Sequence, residues 1–191
     1  MVHRRGFIQS GLAIGGAALL PQAARAAAPL QIHGFVFDAR FAEAGEIAGA
    51  ACLAPRWATS GDMMPLWYER LDLQWKEKPL PLAGVTTADA LFVMETLAAD
   101  YRMRVVYRGL HSAPRDGVVR HELSGPEALV GAVGVGGAGW AARLGRTMTS
   151  VAPGQSARSE ASFTSAAAGD SRRDTPLYSW IIAPREVLST A

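Results

Sequence analysis

The sequence predicts a single α/β domain, a sandwich of helices around a partly parallel sheet. Strand and helix signals alternate between residues 30 and 108, which is typical of βαβ units. A hairpin signal near 103–123 and a final apolar strand then add antiparallel edges. Residues 27–191 are also numerous enough for one compact domain with its own hydrophobic core. We therefore expect one domain over this range.

The first half of this domain supplies three strands separated by helices. Residues 30–37 are rich in β-forming side chains and predict the first strand. Residues 40–53 have apolar side chains near helical spacing and predict the first helix. Residues 56–60 and 80–85 predict the second and third strands. A helix between them begins near Pro65, which suits a first helical turn, although the pattern beyond it also alternates like a strand.

The second half begins with the clearest helical pattern in the chain, an apolar stripe over residues 91–98. A strand over 103–107 follows, and the turn at 114–117 pairs it with 118–123 in a hairpin. The spacing of Ser124 and Glu127 matches a capping box and predicts a helix start. A last strand is predicted over residues 177–182.

Residues 145–176 differ in composition from the rest of the domain. Ser, Thr, Ala, Gly and Arg dominate them, and Phe163 is their only aromatic side chain. Such a segment buries too little apolar area to offset the entropy lost on ordering. We therefore predict a long polar, mobile loop here.

The first 26 residues have the organisation of an export signal. Arg4 and Arg5 form a twin-arginine pair, a mild apolar run covers 12–20, and a small-residue cleavage pattern ends at Ala26. This segment resembles a bacterial signal peptide of the twin-arginine translocation (Tat) type, which exports folded proteins. The resemblance implies recognition by the Tat translocase and a periplasmic protein. The alternative is a retained signal that anchors the chain in the membrane.

The charge balance changes when this signal is set aside. The chain has 19 Lys and Arg against 17 Asp and Glu, but three of the arginines lie in residues 1–26, which leaves 16 basic and 17 acidic side chains. A nearly neutral domain gives no support to nucleic-acid binding. Cys52 is the single cysteine, so it cannot form an intrachain disulfide, and its apolar neighbours predict a buried, inert thiol.

Polar side chains follow the predicted strands at their carboxyl ends. Ligands of open α/β sheets bind in the crevice at these ends. The rule selects, as candidate ligand-binding residues, Asp38, Arg40, Ser60, Asp62, Thr86 and Thr87. They suit a polar ligand, an oxygen-ligated cation or acid/base chemistry. The competing interpretation is that residues such as Asp62 and Thr86 only cap helices.

Two further patterns were weighed as sites. His111 and His121 flank the turn at 114–117, and a four-residue loop there puts the two imidazoles on opposite faces of the hairpin. A three-residue loop with a bulge makes them neighbours and a two-histidine metal site conceivable; we predict no metal. Residues 134–139 spell GxGxxG, but dinucleotide binding needs a strand directly upstream, where the capping box predicts a helix.

Three functions are compatible with these observations. The first is a periplasmic accessory or ligand-binding protein, with a larger, co-exported redox enzyme as the candidate partner. The second is a small periplasmic hydrolase or isomerase that uses Asp38 and Asp62, with Arg40 as an anion clamp. The third is a protein loaded in the cytoplasm with an oxygen-ligated cation or a noncovalent organic cofactor. The sequence favours the first and identifies neither catalytic residues nor a cofactor.

Overall fold

The fold is a mixed sheet with helices packed on both faces, which confirms the predicted α/β class. The computed structural model describes residues 30–113, 117–134, 139–149, 157–166 and 174–184. The signal segment and most of the GxGxxG motif therefore lie outside the described residues.

The strands of the described residues form one seven-stranded sheet. In chain order they are β1 (Gly34–Asp38), β2 (Arg56–Thr59), β3 (Leu82–Thr86), β4 (Met103–Ser112), β5 (Val118–Pro126), β6 (Arg158–Ala166) and β7 (Leu177–Pro184). Their order across the sheet is β2-β1-β3-β7-β4-β5-β6. β1 runs parallel to β2 and β3, whereas the other neighbouring pairs are antiparallel. The sheet is therefore partly parallel, as predicted.

The helices connect these strands in the predicted order. They are α1 (Ala42–Ala50), α2 (Met64–Leu66), α3 (Asp72–Glu77), α4 (Ala88–Asp100), α5 (Glu127–Val133) and α6 (Trp140–Met148). A π-helical turn, Trp67–Leu71, joins α2 and α3 into one helical segment over 64–77. The ambiguous residues after Pro65 are therefore helical. α5 begins at Glu127 as expected, but Ser124 lies in β5 and does not cap it.

The helices cover the two faces of the sheet unequally. On the first face, α1, α5 and α6 pack on a core that includes Phe35, Ile47 and Ile181. On the second face, the segment 64–77 and α4 pack around residues such as Met94 and Trp180. This second layer leaves β5, β6 and the adjoining end of β4 uncovered. We call that uncovered area the open half of the sheet.

The strands reflect how many helical layers cover them. All five residues of β3 are buried, as expected for a strand between two helical layers. β6 instead alternates exposed and partly buried residues, with Ser165 as its buried position. It pairs with β5 along its whole length. The prediction of a loop over 145–176 is therefore wrong for residues 158–166, because small polar residues at period two fit an edge strand with one covered face. It is also wrong for residues 145–148, which end α6 because Gly145 and Met148 continue its buried face.

Gly145 allows α6 to lie directly against α1. A Cβ atom at this position would overlap the carbonyl oxygen of Ile47 and lie 3.0 Å from the Cβ of Ala50. The two helices therefore pack with their backbones in contact, and any side chain at position 145 must separate them.

The end of α1 corrects one further expectation. Cys52 follows the helix with a positive φ of 52° and is exposed, so the prediction of a buried thiol is wrong. The left-handed conformation turns the chain away from the buried face of α1. In the part of the chain that the structure describes, no helix is long and apolar enough to cross a membrane.

Candidate functional site

The strand order brings the predicted carboxyl-end residues to one edge of the sheet. β2 and β3 lie on opposite sides of β1, so the winding reverses between β1 and β3. Asp38 pairs with Thr59 at the end of β1, and Thr86 ends the adjacent strand. Ser60 is exposed just beyond β2. This edge is the topological switch point at which doubly wound sheets bind ligands.

Asp38 and Arg40 form a tight pair at this edge. The Asp38 carboxylate is fully buried and accepts hydrogen bonds from the backbone N–H, Nε and Nη2 of Arg40, at 3.1, 2.9 and 2.6 Å. The side-chain hydrogen bond to Asp38 raises the pKa of the guanidinium. The guanidinium also lies directly against Gly61. The pair therefore ties the loop after β1 to the loop after β2.

The remaining predicted residues have partners within the fold. Asp62 Oδ1 accepts a hydrogen bond of 2.9 Å from the backbone N–H of Met64 in the first turn of α2. Thr86 Oγ1 accepts one from Trp180 Nε1 at 3.0 Å and donates to the carbonyl of Thr87. Thr87 occupies the N-cap position of α4 without a side-chain cap bond. These contacts favour the capping and packing interpretation for Asp62 and Thr86.

A groove lies on the open half of the sheet, away from that edge. One cavity of about 310 Å³ sits on β4, β5 and β6, and a second of about 370 Å³ shares Arg108 and Ser124 with it. We call the two together the open-face groove. Its polar lining residues are Glu95, Arg108, Glu122, Ser124, Arg158, Glu160, Ser162 and Tyr178.

Charges of both signs line the open-face groove. Arg108 forms an ion pair with Glu95 of α4, and Arg158 donates a hydrogen bond to a backbone carbonyl of β4. Glu122 and Glu160 are exposed on the neighbouring strands β5 and β6. Guanidinium and carboxylate groups that line the same groove can bind a polar molecule that carries both charges.

None of these groove residues belongs to the set predicted from the sequence. Glu160 and Ser162 lie in the segment that was predicted to be a loop, and Arg108 and Glu122 lie within the hairpin strands rather than at their ends. The period-two alternation of residues 158–166 was the signal that could have identified the strand and its exposed face.

A second polar cluster lies in the core of the first face. His111 and His121 are direct cross-strand neighbours, both buried, with their Nδ1 atoms 2.8 Å apart. The expectation that they lie on opposite faces is wrong. The observed register is one residue away from that of a four-residue loop, and a shift of one residue moves a side chain to the other face.

Hydrogen bonds extend from this histidine pair in both directions. His111 Nε2 lies 2.8 Å from Ser179 Oγ, which donates to the Tyr107 hydroxyl at 3.4 Å. His121 Nε2 lies 2.6 Å from Ser165 Oγ. The chain of side chains therefore joins β7, β4, β5 and β6, which are consecutive in the sheet. Burial raises the pKa of Tyr107, so its hydroxyl stays protonated.

Aromatic rings enclose the histidine pair. The Trp140 ring of α6 lies 5.0 Å from the His111 ring and 4.6 Å from the His121 ring, and Phe163 stacks on His121 at 4.4 Å. Two imidazoles are fewer ligands than a structural zinc site uses. Among the described residues, no group of three or more His, Cys, Asp or Glu is arranged to hold a metal ion.

The GxGxxG motif begins at Gly134 after helix α5, not after a strand, so the upstream context for dinucleotide binding is missing. Its residues 135–138 lie outside the described residues.

No family model, curated protein or solved structure matches the chain. Function is therefore argued from the open-face groove and the histidine pair themselves.

Proposed function

We propose that the protein is a Tat-exported periplasmic accessory or ligand-binding protein that holds a small polar ligand in the open-face groove. The binding part of this proposal rests on one observation, the open half of the sheet. Its concave surface is lined by charged groups of both signs. The export half rests on the resemblance of residues 1–26 to a twin-arginine signal.

The size and lining of the groove define the class of ligand. Cavities of a few hundred Å³ with a few convergent polar groups are typical of small-molecule sites. Arg108 lines both cavities, and Glu122 and Glu160 face it across the strands. A small zwitterionic or polyhydroxylated molecule satisfies these groups, with Tyr178 as a ring against which it can lie.

The export route also supports a protein partner. Tat cargo crosses the membrane folded, so a small domain of this kind can travel bound to a larger redox enzyme, which we propose as its partner. The hydrolase or isomerase that would use Asp38 and Asp62 stays a prediction. Both carboxylates already accept hydrogen bonds within the fold, and these contacts do not favour it.

A bulky residue placed in the groove tests the binding half. Ser162→Tyr puts a ring on the groove wall, and the control Thr164→Tyr puts the same ring on the same exposed face of β6, outside the lining. A ligand that binds only the folded state adds about 2.7 kcal/mol of stability at a hundredfold excess over its Kd. Protein isolated from periplasm should therefore unfold at a higher temperature than the same protein after unfolding and refolding. Ser162→Tyr should abolish this difference and Thr164→Tyr should preserve it; a difference preserved in both variants would exclude the groove.

The export half is tested separately by replacing Arg4 and Arg5 with lysine in the full chain. The protein should then accumulate in the cytoplasm, since the twin-arginine pair is the recognised feature. Unchanged delivery to the periplasm would show that export does not depend on the twin-arginine pair.

A further inference from the structure

Neither the groove nor the scaffold explains the histidine pair. Burying five polar side chains costs free energy unless every one is satisfied, and such networks set a unique arrangement when they are complete. We propose that His111 and His121 form an acid-sensitive latch that holds β5, and with it the edge strand β6, to β4 and loosens this attachment when both imidazoles are protonated.

The protons of the pair can be counted. Two Nδ1 atoms 2.8 Å apart form a hydrogen bond only if one carries a proton and the other offers a lone pair. Each neutral ring has one N–H, so the ring that donates through Nδ1 has an unprotonated Nε2, and the ring that accepts at Nδ1 has its proton on Nε2. The Ser179 and Ser165 hydroxyls can each donate or accept, as the Nε2 atom beside them requires.

The two neutral rings are therefore opposite tautomers, whichever of them donates to the other. One Nε2–H donates to the serine beside it, and the other Nε2 accepts from its serine. The neutral pair then uses each of its two N–H protons once.

Acid has two effects on this arrangement. A third proton on the unprotonated Nε2 converts its ring to imidazolium, and the serine beside that nitrogen must rotate to accept rather than donate, while a charge is left in the core. A fourth proton turns the last acceptor Nδ1 into a donor. Two N–H groups then face each other on two positive rings, and the bond between β4 and β5 side chains is replaced by repulsion.

Among the described residues, the side chains in ring or hydrogen-bond contact with the pair or with its serines include Tyr107 of β4, Phe163 and Ser165 of β6, Ser179 of β7 and Trp140 of α6. Of these, Tyr107 is titratable, and it stays neutral because burial raises its pKa. Arg120 and Glu122 flank His121 along β5 and are exposed on the opposite face of that strand.

The latch controls the attachment of β5 and β6 together. β6 is the last strand of the sheet and pairs only with β5 among the described residues, so it moves with β5. Ser165 faces the latch, while Glu160 and Ser162 on the opposite face line the groove. Acid release of β5 and β6 from β4 would therefore also open the groove, whose lining spans these three strands. That consequence rests on the proposed function, whereas the latch itself does not.

The direct test is imidazole nitrogen NMR on the full chain with labelled histidine. Near neutral pH, the latch predicts two buried neutral rings of opposite tautomer with a scalar coupling between their Nδ1 atoms. On acidification, the coupling should disappear, and amide exchange in the β4–β5 ladder and in residues 158–166 should accelerate before exchange in β1 and β3. Two rings of the same tautomer, or β4–β5 protection that is lost only with the whole sheet, would overturn the proposal.

Denaturation at several pH values gives an independent test that needs no ligand. Below about pH 6, the two histidines bind protons in the unfolded chain, whereas the pair is neutral in the folded protein. The wild-type unfolding equilibrium constant should therefore rise about ten- to hundred-fold per pH unit in this range. His121→Gln should reduce this dependence to ten-fold or less. The control His33→Gln changes a partly buried histidine outside the pair and should match wild type. A His121→Gln profile parallel to wild type would contradict the latch, and if that variant does not fold, the NMR result decides.

Discussion

The two halves of the sheet differ in the number of helical layers that cover them. β1, β3 and β7 lie between helices on both faces, and their residues are almost all buried. β5 and β6 have helices on the first face only, and their second face presents charged and hydroxyl side chains to the groove. We call β1, β3 and β7 the covered half of the sheet. The comparison indicates that the covered half is the scaffold, while the open half has the groove and the histidine pair.

The number of covering helical layers also determines which strands could be predicted from the sequence. The covered strands are apolar runs, so β3 was predicted at 80–85 and found at Leu82–Thr86, and the last strand was predicted at 177–182 and found at Leu177–Pro184. Burial on both faces gives a strong local signal. The covered half was therefore predictable to within a few residues.

The open half was less predictable because its structure depends on distant partners. β6 has little apolar area of its own and is a strand because β5 pairs with it. The histidine pair depends on a register that one loop residue changes. The groove was missed because its residues lie along strand faces, whereas the switch-point rule examines only strand ends. That rule did place Asp38 and Arg40 together, where they form a structural pair.

The largest expected effect comes from removing the central side chain of the covered half. Trp180 is fully buried on the second face, and its Nε1 donates to Thr86. Trp180→Ala should lower the free energy of unfolding by about 3–5 kcal/mol, since it leaves a large cavity and removes the hydrogen bond that Thr86 Oγ1 accepts. The matched change on the open half, Glu122→Ala, should stay within about 0.5 kcal/mol. Urea denaturation measures both, and equal losses would refute the division into scaffold and surface.

A smaller effect is expected at the contact between α1 and α6, which cover neighbouring parts of the first face. α1 packs behind β1 and β3, and α6 packs behind the histidine pair; Gly145 lets the two helices touch. Gly145→Ala should cost about 1–3 kcal/mol through overpacking. Gly45→Ala, inside α1 with open space around it, should instead stabilise by about 0.5–1 kcal/mol. Thermal unfolding of both variants separates contact from helix propensity, and a neutral Gly145→Ala would mean that the helices can move apart freely.

The smallest effect is a pH dependence of stability that comes from Tyr101 and Asp72, in the helical layer on the second face. The Tyr101 hydroxyl donates to Asp72 at 2.6 Å, which raises the pKa of Tyr101 to about 12. Hydrogen bonds from Lys76 and then Tyr101 lower the pKa of Asp72. A raised tyrosine pKa adds stability that is complete below about pH 10 and is lost as the pH rises to about 12; the Asp72 contribution is present above about pH 4 and is lost in acid.

Tyr101→Phe should therefore flatten the alkaline loss of stability, while Tyr68→Phe, on an exposed side chain, should leave it unchanged. Phenolate absorbance during a pH titration checks the ionisation directly. Ionisation of Tyr101 together with the exposed Tyr68 would contradict the hydrogen bond to Asp72.

The most direct measurement of the central claim is native mass spectrometry of the protein purified gently from periplasm. The account predicts a mass above that of the exported chain alone, retained in Thr164→Tyr and in Arg40→Ala, and lost in Ser162→Tyr. Such a result places the bound molecule on the open half of the sheet. The mass of the bare chain in every sample, or added mass that Arg40→Ala removes and Ser162→Tyr retains, would contradict it.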